Sequence, residues 1–458
     1  MTTDVAAPDD RFVTSKEDLI AYLRKGCKPP EEWKIGVEVE KLVVDRDSAA
    51  AASQERIQEL LERLEKAQCW KGVREEGRLI ALQGVLSSIS LEPGGQLELS
   101  GQLCGDLHCS GANLRHHIET VVTEAAPLGL AFLGLGAQPF STLEEIAWLP
   151  KQRYRIMAPY MLKTGTMGQR MMKQTAGVQV NLDYHDEADC IDKIRLCLAL
   201  APLFYAWSAN SPLLDGSPSG VLTSRGRIWA HTDPQRSGLI HALFEEGADF
   251  GTYVDYALDI PMYFILRNDR YVDLTPTPVT FRRFLAEGCK GYRATLHDWA
   301  LHLSTLFPES RLRPQLEIRS FDSPPPFLSL GFAALCKGLL YDREATAGAW
   351  SLFQDLDREG RETLLRSSWQ LGLKTPFRKG TLQDAAVEIL DLARHGLQRQ
   401  SRRNVHGEDE TIFLDTIAEI AVSGVTLAER LLAEWRGGRE EKAALLLRRS
   451  GYGQQEFS

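Results

Sequence analysis

Five glutamates occupy short stretches whose β patterning would turn them onto shared surfaces. In KIGVEVEKLVV (34–44), apolar Ile35, Val37 and Val39 alternate with Gly36, Glu38 and Glu40, and a period of two puts both acids on one side of a strand. SISLEPGGQLELSG (88–101) reads as two strands joined by Pro93-Gly94-Gly95, a turn that draws the flanking Glu92 and Glu98 toward each other. Glu317 alternates with Leu316 and Ile318 in QLEIRSFD (315–322). A lone glutamate on a strand usually faces solvent. Five in such settings, two of them beside a glycine turn, call for positive charge between them, because clustered carboxylates repel. Mg²⁺, or Mn²⁺ in its place, prefers carboxylate oxygen and bridges substrate phosphates. Such a surface can hold a nucleoside triphosphate without a P-loop and stabilise charge during phosphoryl transfer.

Arginines form the second set. Arg153 and Arg155 lie in LPKQRYRIM (149–157), Arg225 and Arg227 in SRGRIW (224–229), and Arg319 two residues after Glu317. Planar guanidinium groups suit bidentate recognition of carboxylate or phosphate. Glu317 and Arg319 share a strand face, so a metal ligand and an anion clamp are expected to point into one cavity. Basic residues beside acidic metal ligands suggest a substrate that is itself a carboxylate. Competing chemistries find less support. The histidines, including His116-His117, make no HExxH pattern, no Ser or Cys sits in a GxSxG elbow, and neither GxGxxG nor GxxxxGK[ST] is present. Trp207, Trp229, Tyr253, Tyr256 and Tyr263 read as core aromatics.

These side chains need a scaffold, and the composition supplies an ordinary one. The 458 residues are 43% hydrophobic and 25% charged with a net charge of -9, which argues against disorder and against a nucleic-acid partner. No apolar run nears membrane-spanning length, and the acidic start MTTDVAAPDDRF lacks a secretory pattern. Eight dispersed cysteines (27, 69, 104, 109, 190, 197, 289 and 336) with no CxxC pair suit reduced thiols in a cytoplasmic protein. Ser15 caps a helix over SKEDLIAYLR (15–24). Helices are expected over 107–128 and 187–209, with a strand at VQVNLD (178–183). Strand signals fade after Asp342, leaving a mainly helical region from about 343. Alternating burial favours an α+β protein with a mostly antiparallel sheet open on one face. Residues 1–12 form a frayed tail and 13–458 one catalytic domain, monomeric or dimeric.

Taken together the motifs resemble glutamate–cysteine ligase, in the plant-like and proteobacterial branch of that family. The stretches that carry the resemblance include EEWKIGVEVEK, SLEPGGQLELSG, LPKQRYRIM, QTAGVQVNLD, SRGRIWAHTD and GLKTPFRKGTL, in the same order from about Thr14 to Leu432. The resemblance implies a curved, funnel-shaped sheet akin to the glutamine synthetase catalytic domain. It implies that Glu38, Glu40, Glu92, Glu98, Gln179 and Glu317 hold the metal ions, with Glu38, Glu92 and Gln179 also meeting ATP. Arg225, Trp229, Arg319 and Gln179 would hold glutamate, with Arg319, Arg225 and Arg153 serving catalysis. The implied substrates are glutamate, cysteine and ATP, and the implied reaction passes through γ-glutamyl phosphate in the first step of glutathione synthesis. A ligase using another amine, or one feeding ergothioneine synthesis, is the alternative. There are departures. The first motif reads GVEVEKL rather than the plant GTEHEKF, and the late one EIRSFD rather than EMRGAD. Leu274 stands where the plant hairpin disulfide has its first cysteine, which argues against that disulfide.

Overall fold

The computed structural model describes residues 9–67 and 70–453. Among them, nine strands form one sheet in which every neighbouring pair is antiparallel, as the alternation predicts. Its centre is β1 (Ile35–Asp45), whose eleven residues make it the longest strand. To one side lie β5 (Leu97–Ser100), β4 (Ser88–Leu91), β3 (Arg78–Gln83) and β2 (Lys71–Glu75). To the other lie β7 (Gly177–Leu182), then strands Leu316–Asp322 and Ser310–Leu312. β6 (Leu130–Leu133) pairs with the far end of β1.

Helices back this sheet. α1 (Lys16–Arg24) starts at Ser15 as expected, with the Asp18 carboxylate accepting the Ser15 amide. α3 (Leu107–Ala125) is capped by Asp106, and α6 (Glu187–Ser208) by Asp186, so each first turn has a side-chain acceptor for its otherwise unpaired amides. Helix Pro326–Leu340 packs against β1 and β7, and α6 against strand Leu316–Asp322. Val37, Val39, Val178, Val180, Ile318 and Phe321 contribute to the buried apolar cluster. Past Asp342 the chain is helical apart from a two-residue strand pair at 376–381. Helix Arg439–Ser450 returns to pack Leu445 and Leu446 near Leu42, Val44 and Leu133.

Two expectations need correction. The sheet is not open on one face. Nearly every residue of β1, β7 and strand Leu316–Asp322 is buried on both faces, because loops and short helices roof the acidic side. The expected frayed tail does not extend over residues 9–12. Residues 1–8 lie outside the described residues, but the Leu296 and His297 amides donate to the carbonyls of Arg11 and Asp9, and Phe12 bridges Thr295.

A register shift in strand Leu316–Asp322 decides which of its side chains face the acids. Ile318 opposes Val180 but Phe321 opposes Val178, so one extra residue is inserted at Arg319–Ser320. This bulge keeps Glu317 and Arg319 on the acidic face while turning Phe321 into the core against Phe204 and Phe332.

The β4–β5 turn is equally constrained. Gly95 has φ of +87°, and a Cβ on Gly94 would lie 2.2 Å from the Lys173 carbonyl oxygen. Gly94→Ala is therefore expected to destabilise the fold by about 1–3 kcal/mol, the usual scale for overpacking. Urea denaturation would measure this, and an unchanged midpoint would show that the turn tolerates the displacement.

Candidate active site

Backbone register builds the site. Glu40 lies directly opposite Glu98 across β1 and β5, and Glu38 lies opposite Ser100 on one side and Gln179 on the other. Glu92 follows β4, where its amide donates to the Gln96 carbonyl across the turn at 2.9 Å. The four acids thus form a row on one face. Facing like charges across a strand pair is destabilising in isolation, and the partners only partly answer it. Glu38 accepts from Asn181 at 2.9 Å, and Glu98 from the Ser100 hydroxyl at 3.0 Å. Glu40 accepts from the Gly177 amide at 2.6 Å and from Gln179 at 3.2 Å. Burial, with Glu98 and Glu317 nearby, raises the Glu38 pKa to about 7. Burial, with Glu92 and Glu98 adding to it, raises that of Glu40 to about 7.

Glu317 behaves differently. It lies opposite Asn181 on the same face and is fully buried. Its carboxylate is bound by Arg311 at 2.7 Å, by Arg313 at 3.2 Å and by Arg319. Burial pulls its pKa up, but these three guanidinium groups outweigh that and hold the carboxyl well below the usual range. Glu317 and Arg319 do point the same way, and the structure joins them in a buried ion-pair cluster with Arg311 and Arg313. Arg319 also donates to Gln179 Oε1 at 2.5 Å, which ties this cluster to the glutamate row.

At the Glu40 end the row meets a narrow cleft lined by Glu92, Gln179, Trp229, Arg319, Met171 and Met172. α7 (Ser224–Ala230) supplies Arg225 and Trp229, one turn apart on the same side. Its N-cap Thr223 accepts from the Gly226 amide, and Asp322 in turn accepts from Thr223 and Ser211 hydroxyls. Arg225 rests against Gly177 and donates to the Arg319 carbonyl at 2.9 Å. Both guanidinium groups stack near the Trp229 ring, at 5.7 Å for Arg225 and 5.4 Å for Arg319. Arg153, in α4 (Gln152–Thr164), lies over Phe264. Buried donors here have no protein acceptor: Nε and Nη1 of Arg225, Nε and Nη2 of Arg153, and Nε1 of Trp229. Since buried donors are almost always satisfied, their grouping points to an oxygen-rich ligand.

Not every expected residue joins. Arg155 is exposed and paired with Glu76 at 2.6 Å, and Arg227 donates to the Ser219 carbonyl. Trp207, Tyr253 and Tyr263 are core, as read, whereas Trp229 lines the cleft. Several contributors had no signal in the sequence. Arg311 and Arg313 carried no motif. Lys41 alternates away from Glu40 and is fully buried beneath the row, bonded to the Val39 and Leu97 carbonyls. Burial lowers its pKa to about 7, while Glu98 and Glu40 pull the other way. Lys151 reaches the Leu91 carbonyl at 2.8 Å and is lowered to about 8 by burial, with Glu92 opposing. The uniformly reduced thiols are also corrected. Cys104 and Cys109 form a disulfide, because the chain after β5 returns beside Ile35 and brings Cys104 to the first turn of α3. Cys69 lies outside the described residues.

The donor set suits divalent cations. It consists of carboxylate and amide oxygens, and burial, with the neighbouring acids adding to it, pushes the Glu38 and Glu40 carboxyls up. Among the described residues no three His, Cys, Asp or Glu side chains already converge into a metal cage. The acids form a row, which fits ions that keep waters and share substrate phosphates. Also among the described residues, no helix is long and apolar enough to cross a membrane.

This combination of antiparallel sheet and helices is shared with a solved glutamate–cysteine ligase from Francisella tularensis, determined in complex with AMP. That likeness covers 91% of this chain and 88% of that one, at a TM-score of 0.52 and 12% identity. Residues 34–445 match the family model for glutamate–cysteine ligase family 2, and the chain belongs to that family. Chloroplastic glutamate–cysteine ligase B of Oryza sativa subsp. japonica is 43% identical over 421 residues, covering 91% of this chain and 83% of the relative. The chloroplastic enzyme of Medicago truncatula is 42% identical over 430 residues, covering 93% and 83%.

The paired acids make a testable claim about stability without ligands. A raised carboxyl pKa means that the folded state binds more protons than the unfolded chain. Metal-free stability should therefore fall as pH rises from about 4.5 to about 7. Glu40→Gln should raise the thermal midpoint in chelator at pH 8 and give no gain at pH 5. An equal shift at both values would show that Glu40 carries no buried charge.

Proposed function

We propose that this protein joins the γ-carboxylate of L-glutamate to the amine of L-cysteine at the expense of ATP, the first step of glutathione synthesis. One observation carries the reading. A row of opposed carboxylates runs into a group of buried, unpartnered arginine and tryptophan donors, in a chain with 43% identity to a glutamate–cysteine ligase over most of its length.

In this reading Glu38, Glu40, Glu92, Glu98 and Gln179 hold Mg²⁺ or Mn²⁺, and Glu38, Glu92 and Gln179 flank the nucleotide. Glu317 would be the remaining ligand, held in place by Arg311 and Arg313. When bound, the ions supply charge neutralisation to the ATP phosphates. Arg225, Arg319 and Gln179 hold glutamate against the Trp229 ring, and Arg153 steadies the oxygens at the Glu92 end. The γ-carboxylate oxygen attacks the γ-phosphorus, the bond to the β-phosphate bridge breaks, and ADP leaves with the electron pair. The neutral amine of cysteine then attacks the acyl carbon, the carbon–oxygen bond to phosphate breaks, and inorganic phosphate leaves with the electron pair and takes up the proton the amine gives up. Arginines aimed at developing charge do most of this work, and the roofed face keeps water from the acyl phosphate. The curved funnel of the glutamine synthetase type belongs to the same proposal, as do a single catalytic domain and cytoplasmic residence.

Purified protein incubated with ATP, Mg²⁺, glutamate and each amino acid in turn should release ADP only with glutamate, and mass spectrometry should detect γ-glutamylcysteine. ADP release indifferent to glutamate would defeat the reading. Glu38→Gln should lower kcat about 100-fold, the scale of losing a preorganised electrostatic group. Trp229→Ala should mainly raise KM for glutamate.

A further inference from the structure

The opposite end of the acidic row differs in character. Beyond Glu38 and Asn181 it opens into a cavity of about 330 Å³. Three apolar side chains at its rim are far more exposed than their type favours: Val85 at 98%, Leu86 at 63% and Leu103 at 57%. They come from two separate loops. Val85 and Leu86 tip the four-residue β3–β4 turn, which is closed by the Gly84 amide on the Ser87 carbonyl. Leu103 lies over Gly36, whose added Cβ would meet it at 2.9 Å. Its loop is pinned twice: Cys104 and Ile35 exchange backbone bonds of 2.9 and 2.8 Å, and Cys104 is bridged to Cys109.

Exposed apolar groups gathered at one mouth signal a surface that is covered in use. The rest of the row narrows the choice of cover. Its far end carries the unpartnered guanidinium donors, which suit a carboxylate, and its middle carries the acids, which suit cation-bound phosphates. A nucleoside triphosphate laid along the row leaves its flat, weakly polar base at the Val85–Leu103 mouth. The cavity volume is within the range of small-ligand pockets. Behind the apolar rim its lining is polar, with Gln83, Ser88, Ser100 and Asn181 beside Glu38 and the Lys28–Asp183 ion pair.

We propose that the β3–β4 turn closes on the base of the bound nucleotide, with Val85 and Leu86 as the moving jaw and Leu103 as the fixed one. This rests on the ATP-dependent ligase reading, and the test separates the two. Calorimetric titration of the full chain with Mg²⁺-ATP and with Mg²⁺-tripolyphosphate, which has the phosphates but no base, is the measurement. The double variant Val85→Ser/Leu86→Ser should weaken ATP about tenfold and leave tripolyphosphate unchanged. Leu103→Ser should do the same, and Leu86→Met should retain parental affinity. KM for glutamate should not move. All three side chains being exposed, thermal midpoints should hold. Equal weakening of both ligands, or of neither, overturns the clamp. Unchanged ATP affinity with an altered oligomeric state would assign the tips to a second copy of the chain and overturn it likewise. Parent protein that makes γ-glutamylcysteine while its variants bind ATP normally would sink the clamp and leave the ligase. Variants that show the base-dependent loss, in a parent without glutamate-dependent ADP release, would do the reverse.

Discussion

Everything at this site follows from two carboxylates held face to face. β1 and β5 pair in a register that sets Glu40 against Glu98, and hydrophobic packing behind the sheet fixes that register. Slipping by one residue would turn Val39 and Leu99 to the acidic face and bury the acids in the core. The repulsion therefore cannot be relieved by sliding. It is met by serine and amide donors and by the lysine beneath, and it adds to the burial that raises the Glu38 and Glu40 carboxyls. A cation entering the row would relieve a repulsion that the backbone imposes, so the fold and the proposed metal site share one physical origin.

Charge is divided unevenly along the face. On the Leu316–Asp322 strand, a single carboxylate meets three guanidinium groups, while on β1 and β5 carboxylates outnumber the cations that face them. One region is thus poised to take up anions and the other cations. The bulge at Arg319–Ser320 joins them, since it lets Arg319 bond Glu317 and Gln179 together while Phe321 stays in the core. A substrate carrying both phosphate and carboxylate oxygens spans such a surface naturally, and the apolar mouth beyond Glu38 extends it to a third chemistry.

Much of this was legible from spacing. Glu38, Glu40, Glu92 and Glu98 could be placed on one face because alternation and a Pro-Gly-Gly turn are local signals, and the antiparallel sheet followed from strands that alternate. Lys41 was less legible, since a lysine in a strand ordinarily marks an exposed position. Arg311 lies on a short strand and Arg313 just beyond its end, with no periodic cue. Their capture of Glu317 depends on a hairpin register and on a bulge that composition does not announce. The Cys104–Cys109 bridge depends on the loop after β5 doubling back along Ile35, a long-range pairing absent from any motif.

By itself, then, the sequence determined which acids share a strand face, where the chain turns, that helices dominate after Asp342, and to which family the motifs point. These are properties of neighbours along the chain, governed by backbone periodicity and turn chemistry. Tertiary structure alone decided that the acidic face is roofed, that Glu317 is neutralised by arginines, that Arg225 and Arg153 keep unpartnered donors while Arg155 does not, and that apolar tips from two loops meet at one mouth. Those outcomes depend on which distant segments exclude water from each other, and desolvation is a property of the assembled fold.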